Sequence, residues 1–93
     1  MSTEEKKRLC KLMGANLSTL REKAKLTQDE LADRLGLSRQ TISAIETDKR
    51  DMQWSTFSVL HMFFVNNEEV KRIMVAMGIV NEAVEKTFNL CGV

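Results

Sequence analysis

The chain has 93 residues, enough for one domain with a modest core and too few to wall in a substrate cavity on all sides. It has no proline and four glycines, and Leu, Met, Lys, Glu and Ala are prominent, which favours an all-α chain. Net charge is +1, which excludes a histone-like polycation; the first fifty residues carry 11 basic against 8 acidic side chains and the rest 3 against 5, so a polyanion is expected to meet the first half.

Ser2 and Glu5 have the spacing of a capping box, and Leu9, Leu12 and Met13 follow at helical intervals. Gly14 is a candidate bend or break in this first helix, after which Leu17, Leu20 and Ala24 resume the apolar stripe. Thr27 with Glu30 repeats the capping box, opening a second helix that buries Leu31, Ala32 and Leu35. Gly36 stops it, because glycine alone accepts a left-handed backbone without steric cost. Leu37 plugs the turn, and Ser38 caps a third helix running to about Thr47.

The polar stretch "ETDKRDMQ" leads into "WSTFSVLHMFFV", whose apolar residues almost surround the helix. That pattern fits either a central core helix or part of an interface. Trp54 and Phe57 are expected in the core, and His61 in a partly exposed position. "NNEEVKRIMVAMG" has Asn caps, acids in its first turn, and Val70, Ile73, Met74 and Met77 on one face, closed by Gly78. In the tail, Asn81 is a cap, and Val80, Val84, Phe88 and Cys91 roughly align. The expectation is a compact bundle of five to six helices forming one domain over 1–93, with a helix-turn-helix core at 14–65 and C-terminal helices at 66–93.

Cys10 and Cys91 lie near opposite ends with His61 between them, a poor zinc set, so buried free thiols and no metal or cofactor are expected. No apolar run is long enough to span a membrane and the start lacks a signal-peptide core, so the expected location is cytoplasmic. No nucleophile–base pair, phosphate loop or paired acids point to an enzyme.

The third helix carries the functional signal. At 100° per residue, with Arg39 at about 0°, Ser43 falls near 40°, Thr47 near 80° and Gln40 near 100°. Ile42 and Ile45 fall near 300° and 240°, on the other side. The outward face thus offers a guanidinium, a carboxamide and hydroxyls. These groups read base edges: Arg pairs with guanine, Gln with adenine, and hydroxyls with either.

The segment "LREKAKLTQDELADRLGLSRQTISAIE", with "DKR" after it, resembles the helix-turn-helix of the Cro/repressor (XRE) family of bacterial and phage regulators. The resemblance covers Leu20-Arg21, Thr27-Gln28, Leu31-Ala32, Gly36, Ser38, Ile42, Ile45 and Glu46. It implies a lambda-repressor-like helical bundle in which helix two crosses the DNA backbone and helix three enters the major groove. By the same resemblance Arg39, Gln40 and Ser43 read bases, and Ala44 offers a methyl contact. Gln28 grips a phosphate or orients the first reading residue, and Thr27, Ser38, Thr41, Lys49 and Arg50 serve the backbone. Arg21 and Glu46 form a structural ion pair. The family often has Asn-Gly after helix three, where this chain has Thr47-Asp48, which leaves that loop the least secure transfer.

One such unit makes few contacts, and the usual remedy is a pair of recognition helices about 34 Å apart on an inverted repeat. Met74, Met77, Val80, Val84 and Phe88 pack either within the chain or on a second copy; a homodimer is expected, with these residues at its interface. The expected function is a sequence-specific transcriptional regulator, a repressor acting on double-stranded DNA. The alternative is an antitoxin or other regulator that binds a partner protein such as a toxin.

Overall fold

A computed structural model describes residues 1–80 and 84–86. Five helices follow in order: α1 Thr3–Lys23, α2 Gln28–Leu35, α3 Arg39–Glu46, α4 Trp54–Phe64 and α5 Glu68–Met77. Residues 84–86 are also helical, and there is no strand among the described residues. The all-α expectation holds. Asn81, Phe88 and Cys91 lie outside the described residues.

The ends of the helices follow from local chemistry. Ser2 accepts from the Glu5 amide, but Glu5 turns its carboxylate to Arg8, so this first box is only half made. Thr27 and Glu30 form the full reciprocal box. Ser38 and Asn67 accept from the amides of Thr41 and Val70 and cap α3 and α5. Gly36 and Gly78 end α2 and α5 with φ of 69° and 83°. Behind Gly36, the Leu37 amide reaches back to the Ala32 carbonyl, a Schellman closure. Helix α3 ends the same way through Asp48, whose φ is 59°, with Lys49 donating to Ala44 at 2.8 Å. Asp48 therefore occupies the left-handed position where the family often has glycine, a conformation that short polar side chains tolerate best.

Helix α1 is the organising rod, packing against α3, α4 and α5, while α2 packs on α3. Leu9, Met13, Leu17 and Leu20 run along its buried side. Gly14 does not interrupt it. Glycine adopts helical angles readily at a cost of about 1 kcal/mol against alanine, which the buried Met13 and Leu17 on either side outweigh. A Cβ at Gly14 would meet Ile45 at 3.5 Å, an ordinary contact, so α3 lies directly over this point.

Two expectations change in the second half. His61 is buried, at 4% exposure. Phe57, Leu60, His61 and Phe64 are spaced i, i+3, i+4 and i+7, so the histidine shares the stripe that faces the interior. Burial pushes its pKa below the ordinary value; Glu85 opposes that shift and Lys71 adds to it. Met74, Val80 and Val84, expected at a dimer interface, are buried within this one chain, and Met77 is half-buried. The apolar area of the first three is already covered by the chain's own packing. Cys10 is a buried free thiol with its pKa raised by burial.

Candidate nucleic-acid interface

Ile42 and Ile45 are buried and hold α3 against the body of the domain. The opposite side of the helix follows from that anchorage. Arg39, Gln40, Ser43, Ala44 and Thr47 line one open concavity of about 630 Å³, together with Lys49 from the following loop and Asp29 from α2. All four residues expected to read bases are thus brought together. Arg39 and Gln40 are exposed, whereas Ser43 and Ala44 are half-buried in the floor. Thr47 turns its hydroxyl back to the Ser43 carbonyl at 2.8 Å, satisfying its own helix end.

The scaffold behind this surface centres on Glu46. Its carboxylate accepts from Arg21 Nε at 2.7 Å and Nη2 at 3.2 Å, and from Gln28 Nε2 at 3.0 Å. Arg21 completes the link by donating from Nη1 to the Leu26 carbonyl at 2.9 Å. The end of α3 is therefore tied to α1, to the α1–α2 turn and to the start of α2. Side-chain exposures of 14% for Arg21 and 7% for Glu46 make this a well-shielded pair. Hydrogen bonding to Glu46 raises the Arg21 pKa further. The ion pair is as expected. The engagement of Gln28 is new, for its amide nitrogen already holds Glu46.

The remaining backbone-contact candidates fall at three places. Thr27 Oγ1 accepts from the Glu30 amide, and Ser38 Oγ accepts from the Thr41 amide while sharing a 2.8 Å hydrogen bond with Thr41 Oγ1. Arg50 Nη1 lies 3.4 Å from that same Thr41 hydroxyl. Lys49 and Arg50 diverge: Lys49 borders the concavity, and Arg50 lies on the other flank, beside a groove shared with Lys7 and Lys11 of α1.

Asp29 was missed by the sequence reading, which singled out only Glu30 among the acids at the start of α2. Its carboxylate stands 3.9 Å from Arg39 Nε, with both side chains more than half exposed. Such a contact is weak in water, but it biases the guanidinium and sets a negative charge on the rim. Its signal lay in the turn geometry, which places the first turn of α2 beside that of α3.

Residues 17–51 match the helix-turn-helix family of Cro/repressor (XRE) type. This segment is a helix-turn-helix. The match covers α2, α3, the loop after it and the last two turns of the rod that supports them, including both partners of the Arg21–Glu46 pair. Regulators of this family bind DNA and are typically not enzymes. No curated protein and no solved structure matches the chain at a significant level. Among the described residues, no group of three or more His, Cys, Asp or Glu side chains is placed to hold a metal, and no helix is long and apolar enough to cross a membrane.

Proposed function

We propose that the protein is a sequence-specific transcriptional regulator that represses by occluding a promoter, binding an inverted-repeat operator in the cytoplasm as a homodimer. The observation that carries this reading is the joint display of Arg39, Gln40, Ser43 and Ala44 on one open surface, backed by two buried isoleucines.

In this reading α3 enters the major groove with its first turn deepest. Arg39 and Gln40 reach guanine and adenine edges, Ser43 takes a base or phosphate, and Ala44 meets a thymine methyl. Thr27 uses its oxygen as an acceptor within the cap, which leaves its hydroxyl proton able to reach a phosphate, and Ser38 does the same when Thr41 is the donor in their shared hydrogen bond. Lys49 and Arg50, diverging on the two flanks, grip successive phosphates, and Thr41 steadies Arg50. Gln28 acts chiefly by fixing Glu46, and its carbonyl oxygen can orient Arg39. Asp29 holds the guanidinium until a base replaces it.

Selection of bound fragments from a random duplex pool tests this. The expected outcome is an inverted repeat with half-sites about one helical turn apart. Recovery of unrelated fragments, with binding that depends only on salt, would remove the claim of sequence specificity.

A further inference from the structure

The outward side of α4 is unusual within this chain. The helix buries Phe57, Leu60, His61 and Phe64 and turns Ser55, Val59 and Met62 outward, with Phe63 half-buried beside them. Ser55, Val59 and Met62 sit at i, i+4 and i+7, a straight stripe. Val59 is 43% and Met62 58% exposed, two of the four large apolar side chains exposed among the described residues. The eleven residues of α4 also include no charged side chain, in a chain where 29% of residues are charged. Val75 on α5, also exposed, follows Lys71 and Arg72 by one helical turn, on a helix that also carries Glu68 and Glu69.

We propose that a second copy of this chain docks on the Ser55–Val59–Met62 stripe, α4 against α4 across a two-fold axis. This rests on the homodimer reading above and supplies the surface which Met74, Val80 and Val84, being buried, do not. A two-fold axis sets each face against its own copy, so any charge near the axis meets its like. A neutral stripe escapes that repulsion. A different protein would be selected through complementary charges, and this stripe has none to offer. Met62, unbranched and polarisable, suits a contact in which one side chain packs on itself. The contact is about one helix wide, below the roughly 1,200 Å² of a stable interface, so pairing is reversible and is reinforced when both copies sit on one operator.

Sedimentation equilibrium of the full chain from low to high micromolar concentration tests the surface. Wild type is expected to pass from one chain mass towards two. Met62→Glu should weaken pairing by at least about tenfold, with unchanged helicity and, at dilutions where both proteins are single chains, an unchanged melting temperature, because in the single chain the side chain is already in water. Val75→Glu, an equally exposed apolar-to-acid change on α5, should pair as wild type does, and so should Met62→Leu. A wild-type monomer throughout, an unimpaired Met62→Glu dimer, or equal damage from Val75→Glu overturns the proposal. Binding to a short duplex with one half-site separates the two readings. Met62→Glu should retain it, while Arg39→Ala should lose it and still dimerise.

Discussion

Residues 17–51 and residues 52–80 both feed one core, yet they are held and exposed differently. In the first region α2 and α3 are two turns long, and local groups fix their ends and mutual angles: a full capping box, three left-handed turns at Lys25, Gly36 and Asp48, and a carboxylate serving three donors. Its outward face is polar and concave. In the second region longer helices bury Phe57, Leu60, Phe64, Val70 and Met74, and the outward side of α4 is apolar and uncharged. Hydrogen bonds have direction and burial does not. A helix that must meet a groove at a set angle gains from the first kind of support, and the body that carries it needs only the second.

Removing the central acceptor is the severest way to break this contrast. Glu46→Ala leaves Arg21 short of its carboxylate and Gln28 without its acceptor in a shielded place, so it should cost about 3 kcal/mol in urea unfolding. Glu5→Ala, which removes the exposed Glu5–Arg8 pair, should leave the unfolding curve unchanged. An equal effect at the two sites would mean that the network does not hold the first region.

The turns sharpen the comparison at smaller scale. Gly36→Ala has room for its methyl but must hold φ near 69°, and should cost about 1 kcal/mol. Asp48→Gly relieves the same strain and should gain up to about 1 kcal/mol. Opposite signs at two positions with one backbone conformation are the outcome to look for in paired denaturation curves.

The smallest effect belongs to the second region. His61 has its pKa depressed by burial, so the unfolded chain takes up the proton first. Its contribution to stability is complete above the unfolded value near 6.5 and declines as pH falls below it. Urea midpoints measured on either side of that pH should differ in this direction, and His61→Gln should flatten the difference. A rise in stability on acidification through this range would contradict the assignment.

The parts legible in the sequence are those set by neighbours a few residues apart. Thr27 with Glu30, Gly36 and Ser38 define both helix boundaries of the motif because a cap or a left-handed turn is a local object. The outward face of α3 was legible for the same reason, since two isoleucines set its rotation. Contacts between distant segments were not. Gln28 and Glu46 are eighteen residues apart, and nothing local says that the amide turns inward. The apolar surround of α4 hid which stripe faces the core, and with it the burial of His61. Gly14 read as a break because the sequence does not show α3 lying across it. The apolar face of α5 was visible, but whether the chain covers it itself depends on tertiary packing.

The central claim is that Arg39 reads a base and does not merely neutralise a phosphate. Binding of wild type and Arg39→Ala, measured at one salt concentration on the selected operator and on a scrambled duplex, tests it directly. A loss of about 1–3 kcal/mol on the operator with little change on scrambled DNA is the predicted result. Equal losses on both duplexes would contradict it.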